Sequence, residues 1–101
     1  MTSLPTGTVT FLFTDIEGST RLWDTKSALM SEAVAIHDRL IREAVAAHGG
    51  HVFSTAGDSF AAAFGRPIDG LEAAIAAQLR LGTAQWPGEL SIRVRMALHS
   101  G

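Results

Sequence analysis

Cysteine is absent from the 101 residues, which excludes a disulfide framework and thiol chemistry and fits a reducing compartment. An excess of charge of one sign is lacking too. Eight basic residues against ten acidic ones leave a formal net charge of −2, so the chain offers no strong field to nucleic acid or anionic lipid. No apolar run approaches the ~18 residues of a membrane span, and Met1 does not open a cationic segment followed by an apolar one. The expectation is a cytoplasmic domain with neither a nucleic-acid partner nor a membrane segment. What the chain does have is an apolar fraction of 47%, enough for one compact domain burying roughly two-thirds of its unfolded surface.

The chain is organised around Thr8 to Thr20, Thr-Val-Thr-Phe-Leu-Phe-Thr-Asp-Ile-Glu-Gly-Ser-Thr. Val9, Phe11 and Phe13 share one face of a period-2 strand and Thr8, Thr10, Leu12 and Thr14 the other, so a central strand buried on most of both faces is expected. Asp15 then stands at the strand's C-terminal end. Gly18, Ser19 and Thr20 follow, before a helix expected to begin near Arg21 and Leu22. A carboxylate beside backbone N–H groups at a helix N-terminus can hold a metal next to a phosphate. The same residues are equally what an ordinary helix N-cap looks like. A second acidic turn, Ala56-Gly57-Asp58-Ser59, tips the balance towards a site, because it too lies at a strand end and two such acids can converge.

After a lead-in from Met1 to Gly7, the rest of the chain supplies the frame. A short helix over Arg21 to Ala28 is expected to precede a longer one whose stripe of His37, Leu40, Ile41, Ala44, Val45 and His48 ends at Gly49-Gly50. Two apolar runs, His51 to Ala56 and Ser59 to Phe64, meet at Gly57-Asp58, and a two-residue loop with Gly first signals a type II′ hairpin. On this alternation Val52, Ser54 and Ala56 share a face. Pro67 opens a helix reaching about Gln85, with Leu71, Ala74, Ile75 and Gln78 on one side. A last strand alternates Ile92, Val94, Met96 and Leu98 with Arg93, Arg95, Ala97 and His99. The order β, broken α, β, β, α, β predicts an α+β fold, a ferredoxin-like split βαβ sheet with helices on one face. In it the first strand is central and neighbours the second hairpin strand, which brings the ends carrying Asp15 and Asp58 together.

Three motifs in this order, Phe13 to Thr20, Gly49 to Asp58 and Arg93 to Gly101, resemble the class III nucleotidyl cyclases, particularly their bacterial soluble branch. The resemblance spans nearly the whole chain. It implies a homodimer that converts a purine nucleoside triphosphate, ATP in preference, into the 3′,5′-cyclic monophosphate and pyrophosphate by two-metal catalysis at the dimer interface. By motif, Asp15 and Asp58 match the family's metal-binding aspartates, the Ile16 carbonyl a further ligand, and Gly18, Ser19 and Thr20 the turn near the phosphates. Hard oxygen donors of this kind suit two Mg²⁺ or Mn²⁺ ions. The family usually carries Lys four residues before the second aspartate, where it helps select adenine, and this chain has Ser54. The family's transition-state residues belong to a C-terminal half that would follow Gly101. The resemblance therefore implies that residues 1–101 are a truncated cyclase domain, inactive alone.

Other candidates carry less. No pair of His37, His48, His51 and His99 has the i, i+4 spacing of a helical zinc site. His37 reads as a packed residue and His48 as a helix-end residue near the carbonyl dipoles. Glu17 reads as solvated. Arg93 and Arg95 read as an exposed strand face or a dimer contact, and no basic partner for a triphosphate is expected in the cleft. Two functions stay open: an adenylate cyclase module, favoured by the two aspartates, and a degenerate cyclase-like domain for nucleotide binding, dimerisation or regulation, favoured by Ser54.

Overall fold

The computed structural model describes residues 7–101, so nearly all of the lead-in from Met1 lies outside the described residues. Strand β1 (Thr10–Ile16), helix α1 (Ser19–Ala47), strands β2 (His51–Ala56) and β3 (Ser59–Phe64), helix α2 (Pro67–Thr83) and strand β4 (Val94–Ser100) follow in turn. The four strands form one antiparallel sheet in the order β2-β3-β1-β4. This is the expected split βαβ arrangement, with β1 central and beside β3.

The helices cover one face. Thr10, Leu12, Thr14 and Ile16 of β1 are buried beneath them together with Phe60, Ala62 and Phe64 of β3. The expectation of a first strand buried on both faces is therefore corrected. Phe11, Phe13 and Asp15 point to the face without helices, where Phe13 is 45% exposed.

Helix α1 begins two residues earlier than expected, at Ser19, and the expected break is a kink inside one helix. Lys26 departs from helical geometry at φ −137° and ψ 39°. Neither Pro nor Gly causes it. The Thr25 hydroxyl donates to the Arg21 carbonyl at 2.8 Å, the back-bonding one turn away that bends helices. Beyond the kink the stripe is as read, with His37, Leu40, Ile41, Ala44 and Val45 buried and His48 Nδ1 2.9 Å from the Ala44 carbonyl.

Helix α2 packs a different side from the expected one. Gly70, Ala73, Ala74, Ala77 and Leu81 are buried, whereas Leu71 and Ile75 are 45% and 51% exposed and Gln78 is exposed as well. The sheet supplies the bulk here, so the helix must come close with small residues. A Cβ at Gly70 would stand 3.0 Å from Thr10 Cγ2 and 3.4 Å from Phe64 Cδ1. Gln78 instead donates to the Val94 carbonyl of β4 at 2.8 Å, tying the edge strand to the helix.

Candidate active site

The β2–β3 hairpin turns at Gly57-Asp58 between the paired Ala56 and Ser59. Gly57 has φ +60° while Asp58 does not enter the left-handed region, as a type II′ turn demands. The turn sets Asp58 against the end of β1, where its Oδ2 accepts the Ile16 amide proton at 3.1 Å. Two acidic strand ends are thus joined through residue 16, but the two carboxylates do not line one common cleft: Asp58 borders one depression and Asp15 another.

Asp58 borders a depression of about 440 Å³ with Ser19, Thr20, Trp23, Val34 and Gly57. Gly18 precedes α1 in the left-handed conformation, φ 67°, which lets the chain turn sharply from β1 into the helix. The leading N–H groups of any helix lack an intrahelical acceptor, and here no side chain caps them and no acidic residue lies in the first turn. The turn residues Ser19 and Thr20 therefore meet Asp58, whereas Asp15, the acid expected beside them, does not border this depression.

Asp15 lies in a cleft of about 380 Å³ on the helix-free face, lined among others by Phe13, Ser54, Ala61, Arg95 and Ala97. Ser54 reaches it by an unexpected route. A bulge between Val52 and Ser54 shifts the register: Val52 pairs with Ala62, whose side chain lies under the helices, while Ser54 pairs with Ala61. The alternation placing Val52 and Ser54 on one face is corrected. The extra residue, Phe53, is 46% exposed, and its ring meets that of Phe11 edge-on at 5.8 Å, while Phe11 stacks on Phe13 at 6.1 Å.

The residue that sequence reasoning missed is Arg95. Its guanidinium forks the Asp15 carboxylate, Nε to Oδ1 at 2.8 Å and Nη2 to Oδ2 at 2.7 Å. The expectation of a cleft without a basic residue is corrected. Arg95 and Asp15 are direct cross-strand partners, so the signal was present in the pairing of β1 with β4. The hydrogen bonds from Arg95, reinforced by its charge, hold the Asp15 carboxyl below the usual carboxylate range, and Asp15 raises Arg95 in turn.

Among the described residues no three His, Cys, Asp or Glu side chains converge as a metal cluster. The histidines follow the packing expectation, with His37 buried and bonded to Asp38 through Nδ1 at 2.8 Å. Asp15, Asp58 and the Ile16 carbonyl are hard oxygen donors, sparse in number, with the two carboxylates lining separate depressions. Donors of this kind suit Mg²⁺ or Mn²⁺, which complete their shells with water and phosphate, and do not suit a closed zinc site.

The sequence profile of the adenylate and guanylate cyclase catalytic domain matches residues 1–101. The chain is 44% identical over 82 residues to the receptor-type adenylate cyclase GRESAG 4.3 of Trypanosoma brucei brucei, covering 81% of this chain and 7% of that protein. It is 38% identical over 87 residues to an adenylate cyclase of Lachancea kluyveri, covering 86% of this chain and 5% of that one. A Trypanosoma brucei adenylate cyclase solved in its monomeric state superposes with a TM-score of 0.89 at 31% identity, over 96% of this chain and 58% of the other. The guanylate cyclase domain from Catenaria anguillulae, solved with GTP, shares the fold at a TM-score of 0.81 and 22% identity. With the strand order, the hairpin and the three motifs in place, the chain belongs to the adenylate and guanylate cyclase catalytic domain family.

Proposed function

We propose that residues 1–101 are the aspartate-bearing part of a class III nucleotidyl cyclase domain, and that the intact protein is an adenylate cyclase making 3′,5′-cyclic AMP and pyrophosphate from ATP. The observation that carries this reading is the Asp58–Ile16 bond, which ties the hairpin acid to the end of the strand bearing Asp15. Asp15, Asp58 and the Ile16 carbonyl would hold two Mg²⁺ or Mn²⁺ ions, which when bound acidify the ribose 3′ hydroxyl and stabilise the leaving pyrophosphate. The turn from Gly18 to Thr20 presents amides to the phosphates beside Asp58. Ser54 lines the cleft on the Asp15 side, where it would face the purine.

The helix-free face supports assembly as a homodimer. Phe11, Phe13 and Phe53 form an aromatic cluster on the cleft face, with Phe13 and Phe53 nearly half exposed, and such a surface gains from being covered by a second copy. The cleft beside Asp15 would then be completed across the dimer, so the 101-residue chain alone is expected to make no product. No helix among the described residues is long and apolar enough to cross a membrane, and a cytoplasmic location is part of this proposal.

Ser54 favours the second reading, a cyclase-like domain that binds nucleotide or dimerises without turnover. It offers a short hydroxyl where a Lys would bring charge on a long arm. Assays of the intact protein with ATP and GTP decide between them. Turnover that rises, or shifts towards ATP by about 30-fold, in Ser54→Lys is the expected result for one added base-edge contact of roughly 2 kcal/mol. An unchanged preference would remove Ser54 from the base pocket, and no turnover in either background would favour the regulatory reading.

A further inference from the structure

The Asp15–Arg95 pair sits where the metal reading needs a free carboxylate. Both Asp15 oxygens are engaged, at 2.8 and 2.7 Å, by the two prongs of one guanidinium. A carboxylate offers about four lone-pair sites, and a forked arginine takes the two that face outward between the oxygens. A divalent cation approaching along the same directions meets a bound positive charge. The two compete for the carboxylate, and a cation that takes one of the remaining lone pairs still meets the guanidinium charge.

The pair is held by the fold and is not a chance surface meeting. Asp15 and Arg95 stand directly opposite one another in the β1–β4 ladder, within an unbroken register from Thr10–Ser100 to Ile16–Val94. The Glu17 amide donates to the Arg93 carbonyl at 2.8 Å and extends the pairing past the strand end. Gln78 fixes β4 from the other side through Val94. The arginine backbone is therefore anchored on both sides, whereas its side chain is 65% exposed and can swing into solvent.

We propose that Arg95 is a positioning residue that occupies Asp15 in place of a metal ion and lowers the domain's affinity for divalent cations until the guanidinium is displaced. The inference rests on Asp15 being a metal ligand, as proposed above. Arg95 acts as a built-in competing cation, so the domain takes up metal at Asp15 only in exchange for the arginine. Its consequence is a metal site that stays weak in the resting domain, with affinity set by a residue that donates no electrons to the metal.

Mn²⁺ titration of the purified protein, followed by electron paramagnetic resonance and calorimetry, tests this without reference to turnover. Arg95→Ala is expected to tighten Mn²⁺ binding by about three- to ten-fold, the scale of losing an exposed forked ion pair and one competing charge. Arg95→Lys keeps the charge without the fork and is expected to fall between. Raising the salt concentration should narrow the difference between Arg95→Ala and wild type. Asp15→Asn should abolish the tighter binding in either background, and circular dichroism checks that each variant is folded. If binding depends on Asp15 but Arg95→Ala leaves it unchanged or weaker, the inference is overturned and the metal reading survives. If no Mn²⁺ binding responds to Asp15→Asn, the metal reading itself falls and this inference with it.

Discussion

Replacing Asp58 separates the hydrogen bond this carboxylate accepts from the metal role proposed for it. Its Oδ2 accepts the Ile16 amide at 3.1 Å, and Ile16 is only 2% exposed, so water has little access to that amide if the acceptor is removed. A partly buried hydrogen bond to a charged acceptor contributes about 1.5–3 kcal/mol, and leaving the donor unpaired costs a similar amount. Asp58→Ala should therefore destabilise the domain by roughly 2 kcal/mol. Asp58→Asn keeps a carbonyl oxygen in the same place and should cost about 1 kcal/mol or less. Its loss of charge should nonetheless weaken Mn²⁺ binding strongly, because one of the two proposed anionic ligands becomes neutral. Urea denaturation gives the stabilities and calorimetric titration the metal binding. The result that refutes the reasoning is an Asp58→Ala variant as stable as wild type, since the hairpin tip would then not be pinned to β1 at all. Full Mn²⁺ affinity in a folded Asp58→Asn variant would refute the metal role alone.

Two further perturbations probe the frame and its charges. A Cβ at Gly50 would run into the ring of Phe64, which is fully buried, so Gly50→Ala should destabilise by about 1–3 kcal/mol through overpacking; thermal melts check this, and an unchanged midpoint would show that the β2 entry can move aside. Asp15 and Asp69 are held below the ordinary carboxylate value of 3.8 chiefly by hydrogen bonds from Arg95 and Arg66. Because folding lowers these values, their stabilisation is fully present above pH 3.8 and is lost as the pH falls through the folded-state values. Denaturation midpoints taken on the acid side should fall less steeply in the Asp15→Asn, Asp69→Asn double variant, and an equal slope would assign acid sensitivity to other groups.

The element order was legible because each element carries its own local signal. Gly57 marks the hairpin by its positive φ, Pro67 opens α2, and the paired apolar positions from Leu40 to Val45 mark the buried side of α1. What the pattern misassigned depends on the partner surface. Leu71 and Ile75 look like the packing face of α2 by hydropathy, yet Phe64 and Leu12 already fill the layer between helix and sheet. Only a face of Gly70, Ala73, Ala74 and Ala77 lets the helix settle against them. The break near Lys26 was legible as a short helix ending by Ala28, but its form, one continuous helix bent where the Thr25 hydroxyl bonds back to the Arg21 carbonyl, was not.

The site shows the same division between local signal and register. Asp15 and Asp58 declare themselves as acids at strand ends, and the II′ turn is enough to bring Asp58 to Ile16. Ser54 reaches the cleft only because the bulge inserts Phe53, an extra residue that simple alternation does not count. Arg95 is legible only once β4 is paired with β1 in its actual register, since a slip of one residue would turn its side chain to the opposite face. Its neighbour Arg93, one step outside β4, makes no ion pair among the described residues. Two arginines with the same sequence context thus take different parts, and the difference lies in the ladder. Asp15 faces Arg95 across the sheet, so an acid at the end of one strand is neutralised by a base near the start of another.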